Sequence, residues 1–329
     1  MWFHFGIFTV QKKNWLYKLA YKNQLLDDSR IDVILYYIRK RAKYSNNNDC
    51  LKICAAKDHL VHLQPLRILS RWTIWFCFTK LIGDTLTAPF HRQLDLFLLG
   101  LAHRNKRRSP GPSMTCQLGS AIFRPSFLRS FQPPCSFLPN CNFNNLIHNI
   151  WDVYYNFESN INKDSMKESI LEYINGYRMH VAASWHTVGN ILIPVNVKEI
   201  FHWILIVVSF NDRCIQIYDS LSGGALHDSK VENEIKKYAQ LIPMYLSKSS
   251  FYGKKDIDIS SHPKYKSHSE FDSFEMIYVK DIPQQTEGSF DCGLYVVAYA
   301  DHISNGNGVP NSFDSEFTRI QYAALLWSY

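Results

Sequence analysis

The chain has 329 residues, of which 46% are hydrophobic, 15% aromatic and 20% charged. This composition is typical of a globular protein and excludes a largely disordered chain, which would be polar and poor in aromatic residues. The net charge of +7 is too small to indicate nucleic-acid binding unless the basic residues are gathered into one patch. The length predicts one large domain or two small ones.

The cysteine pattern and the apolar segments narrow the class of protein further. The eight cysteines are irregularly spaced and include no Cys-x-x-Cys pair, so we expect neither a disulfide framework nor a zinc site. The first residues lack the features of a secretory signal. The most apolar stretch, 66–101, is interrupted by charged residues before it reaches the length of a membrane span. We therefore expect a soluble intracellular protein with no membrane contact.

A helix is predicted near the N-terminus. Apolar residues recur at steps of three and four over residues 26–44, within a largely helical region that starts near residue 13. Asp27, Asp28 or Ser29 can cap the start of this helix, and basic residues near its end complement the helix dipole. We expect this helix to dock on the core.

The stretch 51–141 has a different character. Prolines interrupt short apolar runs, and neither a helical nor a strand period persists. We predict an atypical, poorly structured insert between residues 1–50 and the main domain part, 142–329. Its basic run, 103–113, is either a solvated loop or a nuclear-localisation signal.

Regular elements return after this stretch. The pattern predicts a helix over 164–173 that ends at Gly176, and a short strand over 191–195. A second helix is predicted over 229–241, where Pro243 terminates it.

Two strand-like runs, 201–210 and 213–220, are separated by only two residues and indicate a β-hairpin. With a two-residue turn, Asp219 lies opposite Ile204, which is two residues from His202 on the same side of the sheet. The two backbones are then diagonal neighbours about 7–8 Å apart, a gap that an imidazole and a carboxylate can close with a hydrogen bond. Such a carboxylate fixes the tautomer of the imidazole and favours its charged form.

Cys292 follows a polar loop and begins an apolar, helical run. The N-terminus of a helix favours the thiolate form of a cysteine, which is the nucleophilic form. We expect Gly293 to keep the approach to the sulfur open. Gln284 and Gln285 can supply an amide donor that, with the backbone N–H of Cys292, holds an oxyanion.

Each of these residues alone has an ordinary structural explanation as a core histidine, a turn aspartate, a buried cysteine or a solvated glutamine. Their order along the chain favours a catalytic set, since a hairpin places the histidine and the aspartate and a helix start places the cysteine.

The motifs HW, YDS, PQQ and DCG, in this order, resemble those of the ubiquitin-like-protein-specific cysteine proteases. These are the SUMO protease group of the papain-like proteases, in the form abundant in plant genomes and their transposons. The resemblance covers about residues 13–50 and 142–329. It implies an α+β, papain-like fold with a central mixed or antiparallel sheet and the nucleophile at a helix N-terminus.

The resemblance also implies roles for individual residues. It makes His202 the general base, Asp219 its orienting acid, Cys292 the nucleophile and Gln285 the oxyanion donor. Gln284 is a second candidate for the oxyanion donor, because the spacing between this glutamine and the cysteine differs among relatives. Gln284 is also a candidate substrate contact.

Further substrate contacts are expected around these residues. Trp203 matches a tryptophan that in relatives helps to enclose the thin Gly-Gly tail of the modifier, and Asp291 and Gly293 flank the nucleophile. Relatives usually carry another tunnel tryptophan at the position that Leu25 occupies. Residues 51–141 match nothing in the family, which indicates an inserted or wrongly retained stretch in a transposon-like gene.

The implied activity is that of a cysteine peptidase or isopeptidase that cleaves after the C-terminal Gly-Gly of a ubiquitin-like modifier, SUMO in the first place. It requires no cofactor, metal or nucleic acid, and we expect a monomer in the nucleus or cytoplasm. Two alternatives stay open. One is an acetyltransferase that uses the same Cys, His and acid arrangement with acetyl-CoA, and the other is a catalytically impaired, transposon-derived protein that binds a modifier without turnover.

Overall fold

The computed structural model describes residues 3–4, 9–10, 13–44, 136–155 and 163–327. The predictions made for residues 45–135, including the basic run and five of the eight cysteines, lie outside the described residues.

The described part of the chain contains eight α-helices and seven strands. The helices are α1 (Lys13–Ala20), α2 (Asp28–Tyr44), α3 (Asn142–Tyr155), α4 (Lys163–Asn175), α5 (Gly224–Lys248), α6 (Phe251–Lys254), α7 (Cys292–Ser304) and α8 (Ser315–Trp327). The strands are β1 (Phe3–His4), β2 (Thr9–Val10), β3 (Ser136–Phe137), β4 (Asn190–Val197), β5 (His202–Ser209), β6 (Cys214–Tyr218) and β7 (Glu275–Tyr278). None of these helices is both long and apolar enough to span a membrane.

Five strands form one mixed sheet in the order β3-β4-β5-β6-β7. In the centre, β4 and β6 are each antiparallel to β5, whereas β3 and β7 pair in parallel with β4 and β6 at the two edges. Strands β1 and β2 form a separate antiparallel pair. The predicted α+β architecture with a central mixed sheet is confirmed.

Strand β5 is buried along its whole length, and its residues alternate between two hydrophobic clusters. Ile204 and Ile206 face a cluster that helices α3, α4 and α5 complete. Trp203 and Leu205 face a second cluster that helices α1, α2, α7 and α8 complete. The nearly continuous apolar run of β5 therefore reflects a central strand that is covered on both faces.

Helix α2 lies where the sequence predicts a helix over 26–44. Of the three candidate caps, Asp27 accepts the hydrogen bond from the backbone N–H of Arg30, at 3.1 Å. The aspartate thus satisfies one of the free N–H groups of the first turn.

The prediction that Pro243 ends a helix is wrong, because α5 continues to Lys248 with the proline inside it. An internal proline costs about 3 kcal/mol. Tyr238, Ile242 and Leu246 are at most 1% exposed within the first cluster, and burying such a side chain stabilises the fold by about 1.5–3 kcal/mol each. Tertiary packing therefore outweighs the local cost of the proline.

The last residues of the predicted insert belong to the folded part. Strand β3 pairs with β4, Leu138 is fully buried, and Cys141 is 3% exposed. The backbone N–H of Cys141 donates a hydrogen bond to Asp32 at 2.7 Å, and the Arg39 guanidinium donates one to the carbonyl of Leu138 at 2.9 Å. These contacts tie the chain after residue 136 to α2.

A buried arginine holds the start of α7 in place. Arg319 of α8 is fully buried, and its Nε and Nη2 donate to Oδ1 of Asp291 at 2.9 and 2.5 Å. Nη1 and Nη2 also donate to the backbone carbonyls of Leu19 and Gln24. One side chain therefore connects α8, α1, the segment between α1 and α2, and the residue that precedes α7.

The Arg319→Leu substitution leaves the Asp291 carboxylate buried without its charged partner. Because breaking a buried ion pair in this way costs about 3–5 kcal/mol, we expect the free energy of unfolding, measured in urea, to fall by that amount. The control is Glu316→Ala on the same helix, since Glu316 pairs with Lys22 at the exposed surface and such pairs contribute at most about 1 kcal/mol. Equal losses in the two variants would contradict this role of Arg319.

Candidate active site

The hairpin of β5 and β6 forms in the predicted register. Leu205 pairs with Tyr218, so Asp219, the next residue, lies beside the end of β5 that begins with His202. The Nε2 atom of His202 lies 2.7 Å from Oδ1 of Asp219. The predicted histidine–aspartate hydrogen bond is therefore present.

The chain reverses sharply just before His202. Phe201 adopts a left-handed backbone conformation with φ of 51°, which is uncommon for a large side chain. Phe201 is 82% exposed, whereas His202 is 4% exposed. The reversal places the two neighbouring side chains in opposite environments, and the imidazole is the one that is buried.

Cys292 is the first residue of α7 and follows the N-cap residue Asp291. The free N–H groups of a first helical turn place partial positive charge at this position. The thiol interacts closely enough with His202 to raise the pKa of the imidazole. Because Asp219 occupies Nε2 of the imidazole, Nδ1 is the ring nitrogen available to the sulfur.

The charges of the pair follow from these contacts. Burial acts to lower the pKa of His202, but the hydrogen bonds with Asp219 and Cys292 outweigh it and raise the pKa to about 9. Burial acts to raise the pKa of Asp219, but the hydrogen bonds from His202 and His227 outweigh it and lower the pKa. At neutral pH the arrangement favours an imidazolium beside a carboxylate.

The two candidate glutamines differ in what their side chains bind. Nε2 of Gln284 donates to the backbone carbonyls of Asp219 at 2.9 Å and Ile282 at 3.4 Å. Gln285 is held instead through its backbone N–H and its Oε1, both bound to Ser220. Within the described residues, Nε2 of Gln285 has no hydrogen-bond partner. The amide N–H groups of Gln285 are thus available to a ligand, whereas those of Gln284 are already bound to backbone carbonyls.

Two tyrosines of α7 anchor the loop that carries these glutamines. The hydroxyl of Tyr295 donates to the carbonyl of Gln284 at 3.0 Å, and the hydroxyl of Tyr299 donates to the carbonyl of Pro283. Burial raises the pKa of both hydroxyls, so they stay neutral donors. Sequence reasoning missed these residues, although their spacing of four puts them on the same helix face as neighbours.

A second histidine also binds Asp219. Nε2 of His227, in α5, lies 2.8 Å from Oδ2 of Asp219, and its ring centroid is 5.1 Å from that of His202. The three side chains bring possible metal-ligand atoms within 4.8 Å of one another, but each carboxylate oxygen already accepts a hydrogen bond from an imidazole. No sequence motif pointed to His227, because only the turn after β6 brings it to the aspartate.

Three other predicted substrate contacts are buried. Trp203 is 2% exposed and packs in the second cluster. Asp291 is bound by Arg319, and a Cβ atom at Gly293 would lie 3.0 Å from Cβ of Leu26. Gly293 therefore permits close packing of α7 on the start of α2, and Asp291 secures the helix start. The expected substrate roles of Trp203, Asp291 and Gly293 stay predictions.

Comparison with known proteins places these residues in a family. Residues 138–326 match the Ulp1 protease family, C-terminal catalytic domain. The chain is 29% identical over 145 residues to the ubiquitin-like-specific protease ESD4 of Arabidopsis thaliana, which covers 41% of this chain and 25% of that protein. It is 30% identical over 141 residues to Sentrin-specific protease 2 of Pongo abelii, which covers 42% of this chain and 19% of that protein.

Solved structures of similar chains exist as well. The C-terminal Ulp1 protease domain in complex with Smt3, the yeast ortholog of SUMO, is 18% identical, with a TM-score of 0.38 and coverage of 60% of this chain and 69% of that one. The chain spans between about a fifth and a third of the length of the curated relatives that it matches.

The family match extends over more than half of the chain and includes all four predicted catalytic residues. The plant transposon-associated subtype stays a prediction. The chain belongs to the Ulp1 protease family, C-terminal catalytic domain.

Proposed function

We propose that this protein is a cysteine peptidase or isopeptidase that cleaves after the C-terminal Gly-Gly of a ubiquitin-like modifier, SUMO in the first place. The observation that carries the proposal is the chain of contacts from Asp219 through His202 to Cys292 at the start of a helix. Family membership and the relatives named as ubiquitin-like-specific and sentrin-specific proteases support the choice of substrate class.

The first half of the reaction forms a thioester. The Cys292 thiolate attacks the carbonyl carbon of the terminal glycine, and the carbonyl oxygen becomes an oxyanion. Nε2 of Gln285 and the backbone N–H of Cys292 stabilise this oxyanion. The C–N bond then breaks, and the His202 imidazolium gives its proton to the departing amine.

The second half releases the modifier. Neutral His202 takes a proton from a water molecule that attacks the thioester carbonyl, and the C–S bond breaks to return the thiolate. Asp219 holds the ring in place and stabilises its charged form in both halves. The products are a free C-terminal carboxylate and the released amine.

The burial of the site supports a thin substrate. Cys292 and His202 are each 4% exposed, and Trp203 beside them in sequence is 2% exposed. A tail of two glycines brings no side chain that would collide with these walls. The low exposure therefore favours a Gly-Gly sequence over bulky residues next to the cleaved bond.

Exposed apolar side chains support a protein substrate. Leu25 is 46% exposed and Phe290 is 56% exposed, and each lies close in sequence to the contact between Leu26 and Gly293. Contiguous exposed apolar patches mark protein–protein contacts, and we infer that these two side chains belong to the surface that binds the modifier. Leu25, which stands in place of the expected tryptophan, thus offers a smaller apolar surface at the same position.

The proposal is tested by labelling with SUMO, ubiquitin and Nedd8-type probes that carry an electrophile at the C-terminus. We expect the SUMO probe to label Cys292, together with hydrolysis of a fluorogenic SUMO C-terminal substrate. Both signals should disappear in Cys292→Ala and persist in Cys214→Ala, which removes a buried free thiol at the far end of the hairpin.

Other outcomes of this experiment would replace the proposal. A folded protein that binds SUMO without labelling or hydrolysis under reducing conditions would be the catalytically impaired modifier-binding protein. Transfer of label from acetyl-CoA to a protein acceptor, lost in Cys292→Ala, would indicate the acetyltransferase.

The two glutamines should respond differently to truncation. Gln285→Ala removes the free amide donor, so we expect kcat to fall by about 10²–10³, as for other single oxyanion donors. Gln284→Ala removes a hydrogen bond to the backbone of Asp219 and should lower kcat much less. Steady-state kinetics on the fluorogenic substrate measure both, and a larger loss in Gln284→Ala would reverse the assignment.

The alkaline limb of the rate profile should lie near pH 9, where His202 loses its proton. Since the pKa is raised from 6.5 to about 9, the contribution of the imidazolium to stability is fully present below pH 6.5 and is lost as the pH rises through 9. Asp219→Asn removes one of the contacts that raise the pKa of His202. We therefore expect the alkaline limb of the kcat/KM profile to move to lower pH. A limb that stays in place in Asp219→Asn would show that the aspartate does not raise the pKa of His202.

A further inference from the structure

Both oxygens of the Asp219 carboxylate are engaged by different partners. Oδ1 accepts the hydrogen bond from His202 and one from the backbone N–H of Leu221 at 3.0 Å. Oδ2 accepts one from Nε2 of His227 at 2.8 Å. A carboxylate held at both oxygens cannot turn about its Cβ–Cγ bond without losing a charge-assisted hydrogen bond.

These contacts are shielded from water. The side chain of His227 is 9% exposed and that of Asp219 is 11% exposed. If His227 were absent, little bulk water could take its place at Oδ2. Hydrogen bonds are stronger in such surroundings, and leaving one unmade costs more.

The backbone beside His227 is shaped around its imidazole. A Cβ atom at Gly223 would lie 2.3 Å from Cγ and 2.4 Å from Cβ of His227, so any other residue would push the ring aside. Gly224 follows with φ of +76° and starts α5. The two glycines allow the first part of α5 to approach Asp219 closely.

We propose that His227 is a positioning residue, which fixes Oδ2 of Asp219 so that Oδ1 stays directed at His202. The inference rests on the proposed peptidase function. His227 contacts the orienting acid and not the nucleophile, so its effect on the reaction passes through Asp219 and His202. Hydrogen-bond partners of metal ligands change activity by about 10- to 100-fold when they are removed, and we expect an effect of the same order for this partner of Asp219.

The first test compares His227→Ala with His227→Gln in the full chain. We expect His227→Ala to lower kcat on the fluorogenic SUMO substrate by about 10- to 100-fold with KM unchanged. Glutamine places an amide N–H near the position of Nε2 and should restore most of kcat. An unchanged kcat in His227→Ala would overturn the proposal, as would a loss of kcat that glutamine fails to restore.

The second test uses the glycine that accommodates the ring. Gly223→Ala should lower kcat in the natural sequence. In a His227→Gly background it should cause no further loss, because glycine at position 227 removes both Cβ and Cγ, the atoms that the new Cβ would meet. The control is Gly253→Ala, where a Cβ atom meets nothing within 4 Å, and it should leave kcat unchanged. Additive losses from Gly223→Ala and His227→Gly would contradict the proposal.

A third measurement separates this inference from the proposed function. The rate at which iodoacetamide alkylates Cys292, followed by mass spectrometry of its peptide at pH 7, reports the thiolate–imidazolium pair without any substrate. We expect slower alkylation in His227→Ala and recovery in His227→Gln. If the natural protein hydrolyses no modifier, the proposed function fails, whereas equal alkylation rates in all three proteins refute the role of His227.

Discussion

The guanidinium of Arg319 and the carboxylate of Asp291 meet in the interior, and the position of the candidate nucleophile depends on this ion pair. Asp291 directly precedes Cys292, and Arg319 also holds the carbonyls of Leu19 and Gln24. The start of α7 is thereby tied to α8 and to the segment that leads into α2. Because a buried charge is tolerated only with its partner, the helix cannot shift along its axis without a large loss of stability.

A second constraint acts at the end of β6, where Asp219 makes four hydrogen bonds. Its carboxylate accepts hydrogen bonds from two imidazoles and one backbone N–H, and its carbonyl accepts one from Gln284. The same residue therefore orients the candidate base and helps to hold the loop with the candidate oxyanion donor. The hairpin and the loop before α7, which are far apart along the chain, meet through the hydrogen bond between Gln284 and Asp219.

Much of this arrangement was accessible from local sequence patterns. The register of the hairpin followed from a two-residue turn, because side chains alternate between the faces of a strand. The helix start at Cys292 followed from the change from a polar loop to an apolar run. Pro243 was misjudged because its local cost is visible in the sequence, whereas the burial of Tyr238 and Ile242 that outweighs it depends on distant segments.

The sequence alone determined the identity and order of the candidate catalytic residues and the strand and helix that carry them, since these depend on neighbours along the chain. It left the choice between Gln284 and Gln285 open and assigned substrate roles to Asp291 and Gly293. Only the tertiary structure shows what binds or packs against each of these residues, because that depends on which distant groups, Ser220, Arg319 and Leu26, fill the space around them. The contact between His227 and Asp219 also depends on the tertiary structure, since the start of α5 has to fold back over the end of β6 to create it.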